Sequence, residues 1–153
     1  MTTRRRSLRA SLVTVLACLT LWSGSGHGAT AADVRAEADR IMNLNSADFA
    51  RHPHVDPFDW SNDGCTWWPD GIFGPACAMH DFGYRNYGHH GHLNLSPTQT
   101  IKDWIDERFW HEMRNLCFVH HSEGSLGRSA CLGEAKVMYD GLHEYHLADS
   151  AFF

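Results

Sequence analysis

The sequence has no apolar run long enough to cross a membrane. The longest, Ala10 to Trp22, falls short of the roughly 20 residues that a spanning helix needs. It follows Arg4, Arg5, Arg6 and Arg9 and precedes a stretch of small residues, Ser23 to Ala32, in which Ala29-Thr30-Ala31 is an A-x-A cleavage signal. A basic start, a short apolar middle and a small-residue end make a secretory signal peptide. Residues 1–31 are therefore expected to be removed, leaving residues 32–153 as one soluble, secreted domain. Arg4-Arg5 loosely resembles a twin-arginine signal, and Val15-Leu16-Ala17-Cys18 a lipoprotein cleavage site with too short a run before it. The ordinary signal peptide is the favoured reading.

Positive charge is also scarce. The removed segment carries four of the 13 basic residues and none of the 18 acidic ones, so nine basic residues face 18 acidic ones in the exported part. Such a surface repels nucleic acid and strongly anionic partners. There is no C-x-x-C pair, which argues against a zinc site. No G-x-S-x-G elbow is present either, so the serine nucleophile of that motif is absent. Alternating β-type patterns, repeats and low-complexity tracts are missing as well.

What is there reads as helix. Val34, Ala38, Ile41 and Leu44 recur at helical spacing, and Ser46 suits the cap of a short second helix through Phe49. His52 to Gly74, with three prolines and three glycines, is a loop. Pro75 fits the first turn of a helix running to Tyr87 and stopping at Gly88. After a connector, Ser96-Pro97 reads as a cap and first helical position. Ile101, Ile105, Phe109, Met113 and Leu116 then give one apolar face over about five turns. A last helix carries Leu132, Ala135, Tyr139, Leu142 and His146. The expected fold is all-α. Cys18 leaves with the signal, and Cys65, Cys77, Cys117 and Cys131 remain. An even number in an exported chain implies two disulfides. Three pairings are possible; the local ones, Cys65–Cys77 and Cys117–Cys131, are favoured, and each would contribute roughly 3 kcal/mol in the chain-entropy picture.

The chemistry concentrates in Asp63-Gly64-Cys65 and, twelve residues on, in Cys77-Ala78-Met79-His80-Asp81-Phe82-Gly83-Tyr84-Arg85-Asn86-Tyr87. Consecutive helix residues point about 100° apart. His80 and Asp81 thus serve one small site only if it straddles the helix edge, as a base beside an attacking water and a metal beside a carbonyl oxygen would require. Asp81 and Asp63 offer hard oxygen ligands suited to calcium. The turn-forming loop Asn62-Asp63-Gly64 lets a backbone carbonyl point inward, and a Cys65–Cys77 bridge would fasten that loop to the helix. Tyr84 lies four residues after His80 on the same face, within reach of the site.

The run Trp60-Ser61-x-Asp63-x-Cys65-Thr66, followed by C-x-x-H-D-F-G-Y-R-N-Y, resembles the secreted phospholipase A2 family of bacteria and fungi. The resemblance covers roughly Asp59 to Cys131. It implies a small disulfide-linked helical domain in which two long antiparallel helices carry a His/Asp dyad. The implied activity is calcium-dependent hydrolysis of the sn-2 ester of glycerophospholipids at a membrane or micelle surface. In that case His80 is the general base, and Asp106 holds its other ring nitrogen. Asp63, Asp81 and the carbonyl of Gly64 hold the calcium ion. Bacterial members also pair their cysteines locally. The glycine-rich calcium loop of the animal enzymes is absent, and a glycine at position 64 is expected to leave that carbonyl less rigidly held. A monomer is expected. The alternative is a catalytically silent lipid-binding or toxin-like module on the same scaffold.

Other features carry blander readings. His89, His90 and His92 lie in a glycine-rich connector without a carboxylate or cysteine beside them, and read as an exposed loop. Asp103 is the rival of Asp106 on the same helix. His111-Glu112-x-x-Asn115 falls one residue short of the zinc-protease H-E-x-x-H. Trp67, Trp68, Ile72 and Phe73 either pack beneath Cys65–Cys77 or form a rim that contacts lipid.

Overall fold

The computed structural model describes residues 28–153. The expected signal segment lies outside the described residues except for residues 28–31. Thr30 caps helix α1 (Ala31–Met42) through a capping box with Asp33, which satisfies donors that a helix start leaves orphaned. Five further helices follow: α2 (Ser46–Phe49), α3 (Gly74–Tyr87), α4 (Gln99–His120), α5 (Leu126–His143) and α6 (Asp149–Phe152), with a 3-10 turn at Gly71–Phe73 leading into α3. The described residues contain no strand, and none of their helices is long and apolar enough to cross a membrane. The all-α expectation holds.

The centre is the antiparallel pair α3 and α4. Tyr87 stacks edge-on with Trp104 and His80 packs on Phe109, so rising numbers on one helix meet falling numbers on the other. Gly83 sets how closely they approach: a Cβ there would lie 2.8 Å from Ile105. One core cluster gathers Ile41, Met42, Phe82, Tyr87, Ile105 and Phe152. The other gathers Phe73, Phe109, Met113, Met138 and both disulfides, between α3, α4 and α5. Cys65–Cys77 ties the loop to α3, and Cys117–Cys131 ties α4 to α5, as the local pairing predicts.

Several boundaries differ from the sequence reading, each for a local reason. Asn45 rather than Ser46 caps α2, because the Ser46 amide donates to buried Glu112 at 2.8 Å. Thr98 rather than Ser96 caps α4. The chain before it is pinned to the end of α3, with Leu95 and Ser96 amides donating to the Asn86 and Tyr87 carbonyls. Leu44 lies past the end of α1, where its carbonyl accepts from Arg108. His146 falls outside α5, which stops at His143; His146 adopts φ 52° in a reversing turn. That turn sends the chain back as α6, an element the sequence reading omits.

Candidate active site

His80, in the middle of α3, is 8 % exposed, and Asp106 of α4 is fully buried. His80 Nε2 lies 2.9 Å from Asp106 Oδ1, and Tyr84 Oη donates to the same oxygen at 2.9 Å. The i, i+4 spacing of His80 and Tyr84 places their rings 4.2 Å apart. Burial raises the Asp106 carboxyl, but the hydrogen bonds and charges of His80 and Lys102 outweigh it and hold the group below the usual carboxylate range. Burial, followed by the Asp106 charge, pushes the Tyr84 hydroxyl well above its ordinary value, so it stays a donor.

Asp81 and Asp63 meet at the helix edge. The Asp63 amide donates to Asp81 Oδ2 at 2.9 Å, and Arg85 Nη2 donates to Asp63 Oδ1 at 3.0 Å. The Asp81 carboxyl is pushed up to about 6, chiefly by burial, with the Asp63 side chain adding to the rise. Gly64 sits at φ +73°, and a Cβ there would fall 2.5 Å from Asp70 Oδ1. That Asp70 oxygen accepts from the Cys65 amide at 2.9 Å. At position 64, where a less rigidly held carbonyl is expected, the backbone is left-handed and Asp70 engages the amide that follows. A side chain at that φ is strained.

His80, Tyr84, Asp81, Asp63 and Gly64 open onto one cavity of about 360 Å³. Asp63, Gly64, His80, Asp81 and Arg85 line its polar side; Trp67, Trp68, Phe109, Met138, Leu142 and Leu147 supply an apolar wall.

The structure brings together His80, Asp106, Tyr84, Asp63, Gly64 and Asp81. Asp103 stays apart, accepting from Gln99 at 2.7 Å. Trp67 is 56 % exposed whereas Phe73 is buried, so the aromatic loop divides between rim and core. His89 and His92 are engaged locally, by Asn94 and the Pro57 carbonyl. Among the described residues no three His, Cys, Asp or Glu side chains form a metal-binding group. Glu112 of the H-E-x-x-N run is a buried acceptor for Ser46 and Arg108. Sequence reasoning missed Lys102, Asp70 and the α6 wall of the cavity. Lys102 stands four residues before Asp106, a spacing at which opposite charges meet on a helix, and that was its signal.

Fold and site define a small disulfide-linked helical domain of the phospholipase A2 type. The chain belongs to the prokaryotic phospholipase A2 family, whose model matches residues 40–145. It is 33 % identical over 102 residues to a "Secretory phospholipase A2" of Beauveria bassiana, covering 64 % of this chain and 49 % of that protein. The chain thus spans about half the length of that relative. It is 29 % identical over 126 residues to a "Secretory phospholipase A2" of Arthroderma benhamiae, covering 76 % of this chain and 82 % of that protein.

Proposed function

We propose that this protein is an extracellular, calcium-dependent phospholipase A2, exported by the signal at residues 1–31 and acting as a monomer on phospholipid surfaces. The observation that carries the reading is the convergence of His80, held by the buried Asp106, with Asp63 and Asp81 on one apolar-walled cavity. His80 Nε2 is engaged by Asp106, so Nδ1 is the nitrogen left to accept a proton from water. The water oxygen then attacks the sn-2 carbonyl carbon. The same proton returns from His80 to the leaving glycerol oxygen as the ester C–O bond breaks, releasing fatty acid and lysophospholipid. Asp106 fixes the tautomer and offsets the positive charge that the ring acquires.

The donor set suits calcium. Asp63, Asp81 and the Gly64 carbonyl are all hard oxygens, with no thiolate or imidazole among them. Two neighbouring carboxylates, Asp81 raised to about 6 by burial and Asp63 also facing Arg85, form a centre whose negative charge a divalent cation would neutralise. Bound there, calcium would polarise the ester carbonyl and stabilise its developing negative charge. Asp63, Asp81 and Gly64 would hold it.

Trp67 and Leu147, 56 % and 49 % exposed at the cavity, support peripheral contact with lipid, since tryptophan favours the membrane interface. The test is fatty-acid release from phosphatidylcholine vesicles, in calcium and in excess chelator, for wild type and His80→Ala. Release that needs both calcium and His80 is expected. Release in chelator would remove calcium from the mechanism. Vesicle binding without release would favour the silent lipid-binding module.

A further inference from the structure

The chain has two lysines, Lys102 and Lys136, and one of them is sealed beneath the site. Lys102 is 0 % exposed. Its ammonium lies 2.9 Å from Asp106 Oδ2, the oxygen that His80 does not use, and donates to the Leu142 carbonyl at 3.2 Å. It also lies 3.2 Å from Asp149 Oδ1, the first residue of α6. That contact is an ion pair without an aligned hydrogen bond, and the Asp149 oxygen is buried with no hydrogen-bond partner. The segment that Asp149 anchors is a wall of the cavity: Leu147, Ala148, Ser150 and Ala151 line it. Behind that wall Phe152 is fully buried, packs edge-on against Tyr84, and accepts from the His89 amide at 2.7 Å.

Burying a lysine is costly unless its charge is answered on several sides. Here the answers come from three places: the dyad carboxylate on α4, the end of α5, and α6. We infer that Lys102 is a positioning residue that couples docking of the α6 wall to the orientation of Asp106, so that the cavity is closed and the dyad aligned in one event. The inference rests on the hydrolase reading of the site, because alignment matters only if His80 is a base.

Lys102→Met is the direct variant, but it strips a buried carboxylate of its cation and endangers the fold. Asp149→Asn breaks the outer link, together with the 3.3 Å contact between Asp149 Oδ2 and His146 Nδ1, while leaving the Lys102–Asp106 pair in place, and it is the decisive variant. Two readouts need no substrate: the rate at which an amine-reactive acetylating reagent modifies Lys102, with Lys136, 56 % exposed, as internal standard, and hydrogen exchange of the α6 amides. Asp149→Asn is expected to raise Lys102 modification and α6 exchange relative to wild type. It is also expected to lower kcat about tenfold, the scale of loss that small misplacements of catalytic groups produce, with calcium affinity unchanged. Faster modification with wild-type kcat would overturn the coupling. Unchanged Lys102 protection would overturn the role of Asp149 in holding the wall. An inactive wild-type protein would sink the hydrolase reading, a failure distinguishable from either.

Discussion

Asp106 Oδ1 accepts from both His80 Nε2 and Tyr84 Oη at 2.9 Å, while Oδ2 of the same carboxylate faces Lys102 Nζ at 2.9 Å. One fully buried carboxylate therefore has three donors and no access to water. Hydrogen bonds to a charged group are stronger than neutral ones, and in a buried network each fixes the others. The rotamer of Asp106, and with it the tilt of the His80 ring, is set by groups on α3 and α4 that the spacing of Gly83 and Ile105 holds in register.

Asp106→Asn is expected to cost activity in part. The amide keeps a hydrogen-bonding group near His80 but presents the wrong one to a ring that must acquire charge. The loss should be smaller than that of His80→Ala, for which removal of a general base predicts about 10²- to 10⁴-fold. The change also leaves Lys102 without its charged partner, so a lower Tm should accompany it. Steady-state kinetics on folded protein, alongside thermal unfolding, checks both. A wild-type rate in Asp106→Asn would remove the dyad.

Tyr84→Phe isolates one donor. The ring packing on His80 and Phe152 is retained, and only the hydroxyl is lost. Such a hydrogen bond to a charged acceptor contributes about 1.5–3 kcal/mol to the stability of the fold, and Asp106 keeps its two other donors. The expected outcome is a severalfold fall in kcat with KM little changed. A change confined to KM would move Tyr84 from the dyad to the substrate wall.

The legible parts of this protein are those that one element encodes by itself. The i, i+4 pair of His80 and Tyr84, the proline-to-glycine bounds of α3, and the local disulfides all follow from short spacings. Asp106 is preferred over Asp103 on the family resemblance, at its place in Ile105-Asp106-x-x-Phe109, rather than on helix geometry. What escaped reading depends on the packing of distant segments. Asp70 matters because its carboxylate fills the space beside Gly64. Lys102 reads as a solvated charge until α5 and α6 close over it. The reversal at His146 that creates α6 rests on a left-handed residue that no glycine announces.

Gly64→Ala is expected to loosen the loop that carries Asp63. The new Cβ meets Asp70 Oδ1 at 2.5 Å and must be held at φ +73°, which costs about 1–2 kcal/mol for a residue other than glycine. Displacing Asp70 also frees the Cys65 amide that it caps. Calcium titration followed by calorimetry should show roughly tenfold weaker binding, with the His80–Asp106 pair unaffected because it lies on α3 and α4. Wild-type affinity in Gly64→Ala would show that the left-handed turn at position 64 does not govern calcium binding.

The last expectation links calcium to pH through Asp81. Its carboxyl is raised from the ordinary 3.8 to about 6, mainly by burial. Between those two values the folded protein holds a proton that the unfolded chain has released. Without metal, stability therefore falls as pH rises through that window. Calcium reverses the preference, because it binds the ionised carboxylate and must displace the proton first. Below about pH 6, apparent calcium affinity is expected to fall about tenfold for each unit of pH, the slope of one displaced proton. Near neutral pH the slope should vanish. Calorimetric titration with calcium at pH 5 and at pH 7.5 measures this directly, and the rise in Tm that calcium produces should shrink in parallel at the lower pH. Asp81→Asn, which carries no titrating carboxyl, should bind calcium weakly and lose most of the slope. Equal affinity at both pH values in the wild type would place calcium on groups other than Asp81.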